Sequence, residues 1–445
     1  MASIPQVARA LQPLLTTVAD AAGRESGFVR RVRKVTGANF VQALVFGWLG
    51  RPDASLGELA QAAGRCGLAI SAQGLDRRFT EAAADCLRRV LEAAMAVLVA
   101  AAGPAAVPLL GRFAGVYVSD STTVMLPDSL AGVWAGCGGR VAARTQAGLK
   151  VHARWELGRG RLELLPLTAA RASDQAADAA APPLPAGALR LVDLGYITLA
   201  RLAAFLAAGV DVICRLPARP TLFDAEGCRW AVGALLAAQP GDTVDLPVLL
   251  GQHERVPLRL LARRLPAAAA EQRRRRIRQE AKRAGRTPCQ ARLALADWDA
   301  YVTTVGPDRL GLAEALTLAR ARWQIELLFK LWKQHGRVDE WRSAQPWRIL
   351  CEVYAKLVAL LIQHWCLLLV AWADPRRSLA SAAQLVRAHA PLLALARGHL
   401  PALRAALAAL RDGLARASRV AKRRHDPATA DRLLAPDAWL ADAMP

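Results

Sequence analysis

Between Val116 and Pro217, short aliphatic and β-branched runs alternate with one alanine- and leucine-rich segment, and this order constrains the fold more than any other feature. Val116-Tyr117-Val118-Ser119 reads as a strand closed by Asp120. LKVHARWEL and RLELLPLT, separated by Gly158-Arg159-Gly160, read as two strands joined by a tight turn. ALRLVDLGY is a further strand closed by Asp193, ITLARLAAFLAAG a helix ended by Gly209, and VDVICRLP the next strand. This strand–helix–strand order is an α/β signal, and α/β is the expected class.

The flanks have a different texture. Residues 1–105 read as helical, with Ser55 capping LGELAQAAGR and Ser71 capping AQGLDRRFT, a short helix pair with the look of a helix-turn-helix. Arg30, Arg31, Arg33 and Lys34 form a basic cluster upstream of it. Residues 218–295 hold turn-rich short strands (DTVDLPVLLG, VPLRLLARRLP) and a basic run. That run, Arg263 to Arg286, has ten Lys/Arg against two Glu and suits either a solvated face or phosphate contact. LALADWDAYVTTV reads as a last strand, and Leu312 to Gln334 as one long helix. Beyond Pro346 the chain is helical and apolar, then basic at RASRVAKRRH. Its most apolar stretch, Leu357 to Trp372, is interrupted by Gln363 and His364 and falls short of the ~20 apolar residues a membrane span needs, so a buried helix is expected. No secretory leader is legible in MASIPQVARALQPLL, which points to the cytoplasm and, with the charge described next, to the nucleoid.

Hydrophobic residues make up 54% of the 445, which excludes disorder as the main state. The 59 Lys+Arg against 37 Asp+Glu leave a net charge of +22, and an excess of that size calls for a polyanionic partner, most simply nucleic acid. Eight cysteines without a CxxC pair signal neither a zinc site nor a disulfide framework; reduced, mostly buried thiols are expected.

The segment richest in chemistry is ARARWQIELLFKLWKQ. On a helical wheel with Glu326 at the origin, Arg322 and Lys330 fall about 40° to either side and Lys333 about 20° from Arg322. These four charges share a stripe, and Trp323, Ile325, Leu327, Leu328, Phe329, Leu331 and Trp332 fill the rest. A helix so apolar should be buried, with its charged stripe facing a cleft, ions or phosphates; a surface ion-pair ladder is the alternative. Asp120 and Asp193, each at a strand end, join Glu326 as a set of three carboxylates suited to two Mg²⁺ or Mn²⁺ ions for in-line attack on a phosphodiester.

With VSDSTT around Asp120, VDLGY around Asp193 and Arg322-x3-Glu326-x6-Lys333, the chain resembles insertion-sequence DNA transposases of the Asp-Asp-Glu type with a tyrosine–arginine–glutamate–lysine signature. The resemblance spans roughly residues 110 to 340 and departs at Ala319, where the signature tyrosine should stand. A tyrosine restored there is expected to be tolerated and to raise activity modestly. The resemblance implies a ribonuclease-H-like mixed-sheet core in two parts, 106–217 and 296–345, interrupted by a β-rich insertion with the basic run at 218–295. It implies a helical DNA-binding domain at 1–105 and a helical region at 346–445 for dimerisation. It further implies cut-and-paste cleavage of element ends and strand transfer by Asp120, Asp193 and Glu326, with Arg322, Lys330 and Lys333 on the DNA backbone and Trp298 stacking on a flipped base, the other reading of Trp298 being a core residue of a strand. The implied partners are double-stranded DNA, as element ends and target, and a second subunit, with no membrane. A structure-selective nuclease on the same core, and a non-catalytic DNA-binding repressor descended from a transposase, are the alternatives.

Overall fold

The computed structural model describes all residues except 32, 138–145, 194–197, 217–219, 371, 373, 375, 417–428 and 439–445. The basic segment RASRVAKRRH, but for Arg416, and the LGY of VDLGY lie outside the described residues.

The chain opens with six helices: α1 (Ile4–Pro13), α2 (Ala19–Glu25), α3 (Gly37–Gly50), α4 (Leu56–Arg65), α5 (Ala72–Asp76) and α6 (Glu81–Met95). Ser55 caps α4 in a reciprocal capping box with Glu58, and Ser71 caps α5, as the sequence predicts. There follow β1 (Val116–Leu126), β2 (Ala147–Glu156), β3 (Leu162–Leu164), β4 (Thr168–Ala169), α7 (Asp174–Ala179), β5 (Leu189–Val192), α8 (Leu199–Ala207) and β6 (Asp211–Arg215). Gly209 adopts φ +68° just past α8, the left-handed stop its position implies. Next come β7 (Leu222–Phe223), β8 (Arg229–Trp230), α9 (Val232–Ala237), β9 (Thr243–Leu250), β10 (Val256–Arg264), α10 (Ala267–Arg283), α11 (Gln290–Ala294) and β11 (Trp298–Thr303). The chain continues through α12 (Leu312–Ala321), α13 (Trp323–Gln334), α14 (Pro346–Leu367), α15 (Leu379–Ala396), α16 (Leu400–Ala415) and α17 (Thr429–Leu434).

These elements form two compact units. The first comprises Met1–Ala106, Ser121–Ala177 and Ile325–Ala421. It is largely helical: α14 packs on α3 and α6, and α15 packs on α3 and α16. Every residue of α14 from Ile349 to Leu367 is buried, which places the most apolar stretch of the chain in a core. α14 and α15 are both long and apolar enough to cross a membrane; α14 is fully buried over that stretch, as a core helix is, whereas α15 is 39% buried. In this unit β2 pairs antiparallel with β3 and β4.

The second unit comprises Val107–Asp120, Asp178–Gln324 and Lys422–Pro445. Its strands pair in the order β1–β5–β6–β11–β10–β9–β7–β8. The β1–β5 and β5–β6 pairs are parallel and the later ones antiparallel, so the sheet is mixed, as the resemblance implies. The strands of residues 218–295 join this sheet, because β10 pairs with β11 over Arg259–Arg264. Val212, Cys214, Leu260, Ala262, Trp298 and Val302 belong to its core. The basic run is mostly a helix, α10, with Ala270 its sole buried residue.

Two expectations change. Asp120 does not end a strand: β1 runs on to Leu126. The helix expected over Leu312 to Gln334 is two helices, α12 and α13, meeting at Arg322. Arg322 keeps helical dihedrals (φ −51°, ψ −35°), so the interruption lies in the hydrogen-bond ladder rather than in a sharp change of course.

Candidate active site

The two aspartates are set by strand register. Val116, Tyr117 and Val118 of β1 stand opposite Leu189, Arg190 and Leu191 of β5. Asp120 and Asp193 each lie two residues beyond the last of these pairs, at matching positions on neighbouring parallel strands. Side chains alternate with a period of two, so both carboxylates emerge on the face that carries Val118 and Leu191. Asp120 is thus a mid-strand residue at the point where β1 leaves β5, which is why it behaves as a strand-end acid without being one.

Arg322 closes this arrangement. Its Nη1 lies 3.6 Å from Asp120 Oδ2 and its Nη2 3.9 Å from Asp193 Oδ2. One guanidinium therefore faces both carboxylates, on side chains 18%, 23% and 44% exposed for Arg322, Asp120 and Asp193. Cys214, next to Val192 in the β5–β6 pairing, is no nucleophile here. Burial, and after it the charge of Asp193, push its thiol up to about 12.

The remaining predicted residues of the segment stand on α13 in the helical unit. Glu326 is half-buried and Lys330 exposed. Lys333 donates from Nζ to the Thr123 carbonyl at 3.0 Å and lies 3.8 Å from Asp339 Oδ2. The apolar remainder of the helix is not wholly buried, as the wheel had suggested. Ile325, Leu328, Phe329, Leu331 and Trp332 are buried, but Trp323 and Leu327 stand 47% and 44% exposed. Ala319 is 6% exposed, so the position of the missing tyrosine is a packed one.

Among the described residues, no three His, Cys, Asp or Glu side chains gather as a metal-holding group. The donor chemistry of the pair nevertheless suits a hard divalent cation, since it is all carboxylate oxygen on adjacent strands.

Trp298 is 5% exposed, belongs to the core of its unit, and has the Arg264 guanidinium 4.5 Å above its ring. The acids that flank it are neutralised from α10. Arg274 pairs with Asp297, and Arg273 donates to Asp299 at 2.9 Å and to the Trp298 carbonyl at 3.0 Å. Burial pushes the Asp299 carboxyl up, but Arg273 and Arg320 outweigh it and hold the group below its ordinary range. The basic run Arg273 to Arg286 thus offsets the two acids beside Trp298, through Arg273 and Arg274. The i, i+4 spacing of Arg276 and Glu280 was the available sign that the run is helical. Arg30, Arg31, Arg33 and Lys34 are exposed on the segment between α2 and α3, separate from the α4–α5 pair.

Residues 111–362 match the family described as transposase DDE domain. The chain is 26% identical over 362 residues to the transposase of insertion sequence IS231F from Bacillus thuringiensis subsp. israelensis, covering 76% of this chain and 75% of that one. It is 24% identical over 371 residues to the IS231D transposase of Bacillus thuringiensis subsp. finitimus, covering 78% and 77%. To the IS1151 transposase of Clostridium perfringens it is 22% identical over 362 residues, covering 76% and 75%.

Proposed function

The chain belongs to the transposase DDE domain family, and from that premise we propose that it is the cut-and-paste transposase of an insertion sequence, cleaving the ends of its element and joining them to target DNA. The observation that carries this reading is the matched register of Asp120 and Asp193, with Arg322 facing both. The parallel group β1–β5–β6, with the crossover helix α8, supports a ribonuclease-H-like core.

In this reading Asp120, Asp193 and Glu326 are the carboxylates that hold two divalent ions, Mg²⁺ or Mn²⁺. Such ions, when bound, stabilise the attacking and leaving oxygens of an in-line displacement. Asp120 and Asp193 stand at matching positions of adjacent strands and would hold a cation together once Arg322, which faces both, gives way. Arg322 offers a planar fork that exchanges a carboxylate for a phosphate oxygen with little loss, and so draws the scissile phosphate to the aspartates. Lys333 completes the tyrosine–arginine–glutamate–lysine signature, short of its tyrosine, and with Lys330 contacts DNA backbone. Arg30, Arg31, Arg33 and Lys34 add phosphate contacts that position without reading sequence. Trp298 stacks on a flipped base in this reading, which requires the Arg264 guanidinium over its ring to move aside. In the first step a water oxygen bonds to phosphorus as the bond to the 3′-oxygen breaks, leaving a 3′-hydroxyl. In the second step the oxygen of that hydroxyl bonds to a target phosphorus as the target strand's own 3′-oxygen leaves and takes up the proton. Two subunits hold the two ends, through the helices after Pro346, in the DNA-bearing cytoplasm of the host cell.

The test uses DNA carrying the sequences that flank the reading frame. Asp120→Asn, Asp193→Asn and Glu326→Gln should each abolish divalent-metal-dependent nicking of those ends and leave DNA binding largely intact. Wild-type cleavage by any one of the three would sink the assignment. Joining of the cleaved end to a target plasmid separates a transposase from a nuclease, and absence of nicking by the wild-type protein would favour a repressor.

A further inference from the structure

The second unit contains a cavity of about 550 Å³ beside Asp193, bounded by Arg215, Arg273, Arg276, Arg292 and Trp298. We propose that it is a groove for the sugar–phosphate backbone next to the scissile phosphate, with its arginines spaced in advance by Glu280. The inference rests on the transposase reading and goes beyond it by naming where the strand runs and what holds it.

Four guanidinium groups and two carboxylates, Asp193 and Glu280, line the cavity, which makes it an anion site rather than a cation site. Its volume falls in the range of about 300–1,000 Å³ typical of ligand sites, enough for a nucleotide-sized stretch and too small for a duplex. Leu295 and Ile277 give it an apolar floor against which a sugar or base edge can lie.

The arginines are prearranged in two ways. Arg273 is fixed by Asp299 and the Trp298 carbonyl. Arg276 of α10 and Arg292 of α11 converge on Glu280, at 3.0 and 3.1 Å. Hydrogen bonds from Arg292, then Arg276, hold the Glu280 carboxyl below its usual range, so it stays charged as their counter-ion. The two arginine side chains are 82% and 50% exposed, and pairs this wet are weak and readily exchanged for phosphate oxygens. A shared carboxylate thus keeps two planar forks near one point without committing them, which lowers the ordering cost when an anion arrives.

A strand fits better than a free nucleotide because positive charge continues past the cavity. Arg275 and Arg278, on α10 outside the cavity wall, are 73% and 52% exposed. A polymer can use charges in a line, and a mononucleotide cannot. Asp193 is part of the lining, so a strand whose scissile phosphate lies at the aspartates borders the cavity.

The experiment measures binding of a labelled end oligonucleotide by fluorescence anisotropy in EDTA, where cleavage cannot intervene, together with phosphate-ethylation interference. Arg276→Gln with Arg292→Gln should weaken binding by about tenfold and lower the salt slope by about 2, one per lost phosphate contact. Interference should vanish at the phosphates next to the cleaved bond. Glu280→Gln should tighten binding a few-fold, by about the worth of the released pairs, which no merely structural role for Glu280 would do. Arg275→Gln with Arg278→Gln should lower the salt slope but keep the interference pattern. Loss of the same phosphates in both double variants, or no loss in either, would overturn the groove. So would full competition by free deoxynucleoside triphosphate at low millimolar concentration, which would make the cavity a mononucleotide site. The two readings fail separately. An Asp193→Asn protein that still cleaves defeats the catalytic assignment alone, and an Arg276/Arg292 variant with the wild-type footprint defeats the groove alone.

Discussion

α14 and α10 are both long helices, and they owe their existence to opposite causes. α14 is buried along Ile349–Leu367, and its few charges are internal: Glu352 and Lys356, 5% and 3% exposed, pair at 2.7 Å. Lys356 also donates to the carbonyls of Arg337 and Glu340 at 2.8 and 2.7 Å, fixing the turn after α13 from within the core. α10 buries Ala270 alone and is laced by i, i+3 and i, i+4 ion pairs such as Arg274–Glu271 and Arg276–Glu280. The contrast teaches where free energy and function reside. In α14 each side chain contributes to the fold and few can change; in α10 the fold asks little of the side chains, which leaves them available to a ligand.

The contrast is broken or sharpened by substitution. Lys356→Ala has the largest expected effect, because it leaves Glu352 buried without its counter-ion and strips two carbonyls of their donor. Burial already raises the Glu352 carboxyl against the pull of Lys356. The loss should be about 3–5 kcal/mol in urea unfolding, and a loss under 1 kcal/mol would mean that the pair is not in the core.

Next comes His364 of α14, whose Nε2 donates to the Gly160 carbonyl at 2.7 Å. Burial lowers its pKa from 6.5 to about 4, with the Gly160 bond opposing. Below pH 6.5 the unfolded chain takes up a proton that the folded chain refuses. Stability should therefore drain as pH falls from 6.5 to about 4, by up to about 3 kcal/mol. His364→Gln should flatten that slope in unfolding curves taken at successive pH values; an unchanged slope would place the acid sensitivity elsewhere.

Ala319→Tyr ranks third. The sequence alone suggests tolerance, but a side chain 6% exposed has no room for a phenol. The variant should lose about 1–3 kcal/mol and gain no cleavage activity, and a gain would show that the surroundings yield. Least affected is Arg275→Gln on α10, at a side chain 73% exposed. It should leave the melting temperature where it was, and a clear drop would show that α10 depends on its ion pairs after all.

The helix caps at Ser55 and Ser71, the stop at Gly209, the buried character of Leu357 onward and the α/β class were legible because each rests on local pattern or composition. The meeting of α12 and α13 at Arg322 was not, since no Gly or Pro announces it and a helical wheel assumes one unbroken rod. For the same reason the wheel could not foresee Trp323 and Leu327 in solvent. Both aspartates were picked out as acids following β-branched runs. That they share a register could not be read, because strand pairing across about 70 residues is a tertiary fact. The ion pairs of Arg273 and Arg274 with Asp299 and Asp297 depend likewise on how α10 lies against β11.

The common register of Asp120 and Asp193 also sets which insertions and deletions a relative of this chain can survive. Lengthening or shortening the connection between Leu126 and Leu189 leaves the pairing of Val118 with Leu191 untouched. A single residue inserted between Val118 and Asp120 would turn the carboxylate to the opposite face of the sheet, and no choice of rotamer could bring it back. Variation in length should therefore collect in the connections and stop abruptly at these two short runs, even where the amino acids within them drift.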